Sequence, residues 1–240
     1  MRNQVRYIEK IIQLFFPRRC PVCDDVVPMK EHLVCAECRK RIKYIREPKC
    51  RKCGKELRQV EKIFCVDCAK AKHIFDYGIA LYDYQSMKES VYRFKYKGRN
   101  EYARFYAQEI WERYETEIRN MDADALIPVP LHKSKRKQRG YNQAELIALE
   151  LSRLSGIPCD TQIVQRIRKT VPQKELNIVE RQNNLKKAFN IPSDVVKLNK
   201  TIVIDDIYTT GSTIDAVSGE LKQRGIRNVY FITLCIGEGI

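Results

Sequence analysis

Eight cysteines in the N-terminal third of the chain constrain its fold more than any other feature. They form four Cys-x-x-Cys pairs, and eleven residues separate each pair from the next. Two thiolates at this spacing can bind one ion across a tight turn, and two such turns complete a tetrahedral zinc site. Disulfides are the alternative, but pairs this close make poor staples for long loops, and an intracellular chain keeps its thiols reduced. The spacing therefore predicts two zinc sites.

An internal repeat of 30 residues predicts which cysteines share an ion. The stretch 20–44 aligns without gaps with the stretch 50–74, so each unit contains its own four ligands. The first site then comprises Cys20, Cys23, Cys35 and Cys38, and the second comprises Cys50, Cys53, Cys65 and Cys68. A crossed arrangement is the alternative. Because four thiolates close each site, both zinc ions are expected to be structural, with His32 and His73 as bystanders.

The chain is strongly basic, and its charge is uneven. Its 45 lysines and arginines outnumber 30 acidic residues, which gives a formal net charge of +15. Residues 1–76 carry a net charge of +9, and the longer stretch 77–240 carries only +6. This difference and the clustering of the cysteines predict a metal domain over 18–76 and a second domain over 77–240. The positive charge favours a polyanionic partner, such as nucleic acid, acidic lipid or a phosphorylated small molecule.

The segment ahead of the metal domain, residues 1–17, has the pattern of an amphipathic helix. Its apolar residues recur every three or four positions, at Val5, Ile8, Ile12 and Phe15, and Pro17 ends the pattern. Packing on its own protein is the simplest interpretation, and a membrane-surface or partner helix is the alternative. Charges interrupt this run, so it supplies neither a membrane span nor the apolar core of a signal peptide. We therefore expect a cytoplasmic protein without a transmembrane segment.

Residues 77–240 alternate between strand and helix patterns. Strand patterns cover 125–129, 201–204 and 228–235, and helix patterns cover 100–118, 143–154 and 212–224. Apolar strands that alternate with helices predict an α/β domain whose parallel sheet is covered on both faces. Ligands of such sheets bind outside the carboxyl ends of the strands.

The most specific motif of this domain directly follows the strand pattern 201–204. Two carboxylates, Asp205 and Asp206, precede a hydroxyl-rich turn that opens a helix and consists of Thr209, Thr210, Gly211, Ser212 and Thr213. Unpaired N–H groups and the helix dipole favour a phosphate at this turn, and Gly211 lets the backbone approach it. The carboxylates can accept hydrogen bonds from vicinal ribose hydroxyls or bind magnesium. Because adjacent acids after a buried strand repel each other, the pair favours a ligand site over an ordinary loop.

The stretch 201–213 resembles the ribose-phosphate signature of type I phosphoribosyltransferases, which implies their parallel sheet flanked by helices and their small hood. Other stretches resemble the ComF family of competence proteins, namely 127–132, 139–143, 166–170 with Gln173, and Arg181 with Asn184 and Phe189. The resemblance covers nearly the whole chain and includes an N-terminal double zinc ribbon. It implies that the substrate is phosphoribosyl pyrophosphate, bound with Mg²⁺, and that the protein acts in DNA uptake during natural transformation.

The resemblance also implies roles for single residues. The candidate catalytic residues are Asp205 and Asp206, which serve the ribose, and the cations Lys135 and Arg139. Both cations belong to the segment 132–143, which corresponds to a mobile flap over the site. Further substrate-binding candidates are Val129, Pro130, Tyr141 and the turn 209–213. A solvated basic loop that contacts nucleic acid is the alternative interpretation of the flap.

No pattern identifies the acceptor of a phosphoribosyl group. A base-binding hood is expected over 77–98 and 166–189, although aromatic residues at such spacings also occur in cores. Two functions therefore stay open. One is an enzyme that transfers phosphoribosyl to an amine or base, and the other is a non-catalytic accessory protein that binds single-stranded DNA. The resemblance implies a helicase-like competence protein as a partner and a location at the DNA uptake machinery.

Overall fold

A parallel sheet forms the centre of the protein. The computed structural model describes residues 17–27, 33–167, 188–192 and 198–237. Within these ranges the strands are β1 (Tyr77–Asp83), β2 (Ala125–Pro128), β3 (Gln165–Arg166), β4 (Phe189–Asn190), β5 (Lys200–Tyr208) and β6 (Asn228–Ile236). Four of them pair in parallel in the order β1-β6-β5-β2, and β3 pairs with β4 in a separate antiparallel ribbon.

Helices cover both faces of the sheet. Within the same ranges they are α1 (Ala36–Arg41), α2 (Val66–Lys70), α3 (Tyr84–Tyr96), α4 (Tyr102–Met121), α5 (Lys133–Arg139), α6 (Gln143–Ser155) and α7 (Ser212–Gln223). Successive side chains of β5 point to opposite faces of the sheet and so belong to two separate cores. Ile202 and Ile204 pack with α4 and α6, whereas Val203 packs with α7. Each such buried aliphatic side chain contributes roughly 1.5–3 kcal/mol. The predicted α/β class, with a parallel sheet covered on both faces, is confirmed.

The segment 77–98 is not the hood that we expected. Its first part is the apolar edge strand β1, which pairs with β6, and its second part is α3. Tyr82 and Phe94 are buried in the core, and Tyr92 and Tyr96 lie on the exposed side of α3. The apolar run 78–82 fits the sheet, so Tyr82 and Phe94 serve packing. Most of the other hood segment, 168–187, lies outside the described residues.

The two metal units pack against the edge of the sheet at β1. Residues 43–45, which connect them, run antiparallel to β1, and the Ile45 N–H donates to the Leu81 carbonyl at 3.1 Å. The first unit adds apolar side chains to the core beneath α4, among them Cys20, Val34 and Cys38. The second adds Cys50, Cys53 and Leu57 to the core beneath α7. The units therefore lie on opposite faces of the sheet, and the domain boundary near residue 76 stays a prediction.

Two further predictions fall outside the described residues, namely the amphipathic helix before Pro17 and the role of His32. In the part of the chain that the structure describes, no helix is both long enough and apolar enough to cross a bilayer.

Candidate functional site

Each metal unit gathers four thiols at one point. The Sγ atoms of Cys20, Cys23, Cys35 and Cys38 lie within 4.8 Å of one another, and so do those of Cys50, Cys53, Cys65 and Cys68. The Sγ–Sγ distance is 3.9 Å between Cys23 and Cys35 and 3.7 Å between Cys53 and Cys65. Zn–S bonds of about 2.3 Å place tetrahedral sulfurs about 3.8 Å apart, so both donor sets fit zinc. The structure groups the cysteines as the repeat predicts, and not in the crossed arrangement.

The first knuckle of each unit has the same backbone turn. Asp24 and Gly54, which are 30 positions apart, both adopt positive φ, at 68° and 72°. The Asp24 N–H donates to the Cys20 carbonyl at 2.8 Å, and the Gly54 N–H donates to the Cys50 carbonyl at 2.9 Å. A left-handed backbone conformation disfavours residues other than glycine, because their Cβ atom is crowded there. Hydrogen bonds from Arg99 and Tyr102 to the carboxylate hold Asp24 in this conformation.

The acid pair lies at the carboxyl end of β5. Asp205 and Asp206 still belong to the strand, since Asp205 is in register with Thr233 of β6. The Asp206 N–H donates to Oδ1 of Asp205 at 2.8 Å. Burial raises the pKa of Asp205 to about 7, and the charge of Asp206 adds to this shift. The two acids therefore differ in their environment although they are adjacent in sequence.

Lys95 is a member of this site that sequence reasoning missed. Its Nζ atom lies 2.9 Å from Oδ1 of Asp206, and the two side chains are only 15% and 14% exposed. Lys95 belongs to the last turn of α3, more than 100 residues from the acid pair. No motif marks it, and only the packing of α3 against the sheet brings it to the strand end.

Three more cations lie in the region of the acid pair, two of them close to the carboxylates. Burial lowers the pKa of Lys135, and so do the nearby charges of Arg166, Arg139 and Lys95. Burial likewise lowers the pKa of Arg166, against the attraction of Asp205. Arg139 donates to the Tyr96 hydroxyl at 3.1 Å and to Oε1 of Gln143 at 2.9 Å. Lys95, Lys135 and Arg166 thus lie near the two carboxylates, with Arg139 close to Lys135, and this excess of positive charge suits a multivalent anion.

The hydroxyl-rich turn 209–213 opens α7 as predicted. Gly211 is the N-cap residue of α7, with a φ of 79°, and no side chain caps the helix there. The first N–H groups of a helix have no partner within it, so they are available to an anion. The hydroxyls of Thr210 and Ser212 lie 2.8 Å apart in the same turn. The turn therefore combines backbone donors and hydroxyls next to the acid pair.

The remaining predicted site residues have mainly structural contacts. Val129 is buried, and its N–H donates to the Ile204 carbonyl at 2.9 Å, which fixes the loop that starts at Pro130. The Tyr141 hydroxyl donates to the Phe94 carbonyl. The segment expected to be a flap contains the short helix α5, which carries Lys135 and Arg139 towards the acid pair.

Comparisons with known proteins cover both parts of the chain. Residues 11–69 match the family described as the double zinc ribbon domain. The chain is 30% identical to Competence protein F of Haemophilus influenzae over 221 residues, which are 90% of this chain and 95% of that protein. It is 28% identical to Competence protein ComFC of Bacillus subtilis over 210 residues, or 86% of this chain and 72% of that protein. It is also 34% identical to DNA utilization protein YhgH of Salmonella typhi over 112 residues, or 47% of this chain and 49% of that protein.

The match to Competence protein F covers nearly the whole chain rather than one motif. Since a relative 30% identical to the chain matches 90% of its length, and a double zinc ribbon precedes the α/β sheet, this chain belongs to the ComF family of competence proteins.

Proposed function

We propose that this protein is a phosphoribosyltransferase-like protein of natural competence, which binds phosphoribosyl pyrophosphate with Mg²⁺ and supports DNA uptake. One observation carries the proposal. A partly buried acid pair at the carboxyl end of a central strand lies close to Lys95, Lys135 and Arg166, and the hydroxyl-rich turn and the N-terminus of α7 follow it. The names of the relatives support the wider role, because they are competence and DNA utilization proteins.

Each part of the ligand matches one part of the site. The turn 209–213 offers N–H groups and hydroxyls to the 5-phosphate. Asp205 and Asp206 accept hydrogen bonds from the two ribose hydroxyls. The cations face the pyrophosphate group, whose charge is the largest on the ligand. Mg²⁺ prefers carboxylate and phosphate oxygens, so Asp206 and the pyrophosphate would hold it, and it would offset the charge of the leaving group.

The same arrangement suits transfer of the phosphoribosyl group. The bond between the anomeric carbon and the pyrophosphate oxygen breaks, pyrophosphate leaves, and a bond forms to the nitrogen of an amine or base that loses a proton. Positive charge grows on the ribose beside the acids while negative charge grows on the leaving group beside the cations. Lys135 and Arg139 on α5 lie over this region, where exclusion of water protects the activated sugar from hydrolysis.

Calorimetry with phosphoribosyl pyrophosphate and Mg²⁺ tests the binding step. Asp205→Asn and Asp206→Asn each remove one charged acceptor, so we expect each to weaken binding by at least about tenfold. Lys95→Met is expected to weaken binding of the pyrophosphate group by a similar factor. Glu89→Gln and Lys97→Met are matched controls, because both side chains are exposed on or just after α3, and their affinity should equal that of the parent. Parent-like binding by both Asp variants would show that the site is assigned wrongly.

A second measurement separates binding from turnover. Pyrophosphate release from the same ligand is followed while amines and nucleobases are screened as acceptors. Release that depends on an acceptor and is lost in Asp206→Asn establishes the enzyme. Tight binding without release by any acceptor favours the accessory protein.

A basic groove supports single-stranded DNA as a second candidate ligand. The groove has a volume of about 860 Å³ and lies between the second metal unit and the carboxyl ends of β1 and β6. It is lined by five basic residues, Lys43, Arg46, Lys55, Arg58 and Lys62, and by three acidic ones. Gly237 also lines it, and a Cβ atom at Gly237 would lie 3.8 Å from the side chain of Thr209, so the groove extends to the hydroxyl-rich turn. Such a groove can follow the phosphates of a single strand.

A further inference from the structure

The chain that leaves the second metal unit lies against the hydroxyl-rich turn. His73 is in this connection, three residues before Asp76, and its side chain is only 3% exposed. Its Nδ1 atom is 2.7 Å from Oδ2 of Asp215, and the Ile74 N–H donates to Oδ1 of the same carboxylate at 2.7 Å. Asp215 belongs to the first turn of α7. Both oxygens of one carboxylate therefore tie the start of α7 to the connection.

His73 also contacts the end of β5. Its Nε2 atom is 3.4 Å from the Tyr208 hydroxyl. Because a carboxylate only accepts hydrogen bonds, the Nδ1–H group of His73 donates to Asp215, while Nε2 faces the Tyr208 hydroxyl. The imidazole thus links Tyr208, which precedes the turn 209–213, to Asp215 in the first turn of α7.

The same two side chains fill the space beneath Gly211. A Cβ atom at Gly211 would lie 2.7 Å from the Tyr208 hydroxyl and 2.9 Å from Cε1 of His73. Contacts this short do not occur, so the turn rests directly on Tyr208 and His73. The position of Gly211, and with it the start of α7, depends on where these side chains lie.

Close packing continues from this point to the second metal unit. Tyr208 stacks on Phe231 with ring centroids 5.0 Å apart and an interplanar angle of 4°. The Phe231 ring occupies the space that a Cβ atom at Gly78 would need, 2.0 Å from that position. Across β1, a Cβ atom at Gly54 would lie 2.5 Å from the Gly78 carbonyl oxygen. The first knuckle of the metal unit and the turn are therefore the two ends of one packed layer.

We propose that His73 is a positioning residue for the phosphate-binding turn, acting through Asp215 and Tyr208, and that the second metal unit sets the conformation of this turn. The proposal rests on the proposed function, because it concerns how the same turn is shaped for a phosphate. It gives the zinc ribbon a role at the ligand site without direct contact with the ligand. His73, which the sequence marks only as a bystander of the metal sites, is the residue that makes the connection.

Two substitutions at this position separate a hydrogen-bonding role from a packing role. His73→Leu keeps the volume and removes both hydrogen bonds. His73→Asn places an amide N–H close to the position of Nδ1 and keeps the bond to Asp215. Glu220→Gln, on α7 but outside this network, is the control. All variants are used as full chains after a check that each retains two zinc ions.

The readouts are amide hydrogen exchange over residues 209–215 without ligand and the affinity for phosphoribosyl pyrophosphate with Mg²⁺. We expect His73→Leu to speed exchange in this segment and to weaken binding, each by roughly tenfold, since a bond to a charged partner is lost. His73→Asn should recover most of both losses, and Glu220→Gln should match the parent. Equal effects of Leu and Asn, or parent-like exchange in His73→Leu, would overturn the proposal.

The two readouts also distinguish this proposal from the proposed function. If the parent does not bind the ligand but exchange responds to His73→Leu and recovers in His73→Asn, the positioning role stands and the proposed ligand is wrong. If the parent binds the ligand and exchange is unchanged in His73→Leu, the positioning role is wrong and the ligand assignment stands.

Discussion

Asp205 is a partly buried carboxyl group whose protonation affects stability and, in the proposed function, binding. Burial raises its pKa to about 7 from an ordinary value of 3.8, so the folded protein holds this proton more tightly than the unfolded chain. Protonation of Asp205 therefore stabilises the fold fully below its ordinary pKa of 3.8. This stabilisation decreases as the pH rises from there and is lost once the pH has passed about 7. The ionised carboxylate is the form that accepts hydrogen bonds from both ribose hydroxyls in the proposed site. Rising pH is therefore expected to favour binding while it lowers stability.

We therefore predict that binding of phosphoribosyl pyrophosphate strengthens as the pH rises through this range. Between pH 6 and pH 8 the ionised fraction of a group with a pKa of about 7 rises about tenfold, and affinity should rise by up to that factor. The ligand's own phosphates also titrate near pH 6, so calorimetry on Asp205→Asn provides the reference. The parent should show a steeper pH dependence than this variant. Identical slopes would show that Asp205 does not control binding.

Sequence reasoning predicted those residues of the candidate site that are neighbours along the chain. Asp205, Asp206 and the turn 209–213 are contiguous, so one motif contains their geometry. Lys95 and His73 were missed as site residues because each reaches the site from an element distant in sequence. The structure buries the side chain of Val129, and its predicted contact with substrate stays a prediction.

At the scale of elements, the repeat predicted the grouping of the cysteines but not the placement of the two units. The two units are similar to each other, since each has a helix of five or six residues that begins after its third cysteine. Their neighbours differ, since the first unit packs beneath α4 and the second beneath α7. Which face a unit covers depends on side chains of the sheet, and these are far from the repeat in sequence.

The placement predicts different effects of losing each zinc ion. Cys20→Ser should remove one ion and loosen α4, whereas Cys65→Ser should remove the other and loosen α7 and the turn 209–213. Structural zinc contributes on the order of 10 kcal/mol to the folding of small zinc-binding units, so these effects should be large. Zinc content per chain and amide hydrogen exchange of α4 and α7 are the measurements.

Cys159→Ser is the matched control, because this cysteine lies beside β2 at the opposite edge of the sheet, outside both metal sites. It should retain two zinc ions and parent-like exchange. A parent protein with fewer than two ions, or Cys20→Ser and Cys65→Ser variants that loosen the same helix, would contradict the arrangement.

At the scale of the whole molecule, the uneven charge was visible in the sequence, but its location in a groove was not. Five of the basic residues between positions 43 and 62 line one groove only because the second metal unit packs beside the ends of β1 and β6. The α/β class was predictable because the strands alternate with amphipathic helices. The edge position of β1 was not, since an apolar run does not specify its partner strand.

If single-stranded DNA occupies the groove, its binding should weaken steeply with salt, because each phosphate contact contributes roughly 0.7 to the logarithmic slope. The double variant Arg46→Gln with Lys62→Gln should lower this slope by roughly 1.4. Lys133→Gln with Lys137→Gln tests the exposed charges of α5 in the same way. Fluorescence anisotropy of a labelled oligonucleotide at several salt concentrations is the measurement.

Arg119→Gln with Arg153→Gln is the control for this test, because these exposed arginines lie on α4 and α6, on the other face of the sheet. It should leave the slope unchanged. A parent that does not bind at low salt, or a groove variant with the parent slope, would exclude DNA from the groove. The charge would then be assigned to an acidic protein, with the helicase-like competence protein as the first partner to test.

The strand order also determines when each part of the protein can form during translation. β6 lies between β1 and β5, yet it is the last strand that the ribosome delivers. Each metal unit is complete within about 20 residues, so it can bind zinc as soon as it emerges. About 160 further residues, which take roughly 10–30 s to synthesise, must follow before β6 can pair with β1. During this interval the apolar side chains of the zinc-loaded units have no finished sheet to pack against. The nascent chain therefore needs zinc before its α/β part has been synthesised.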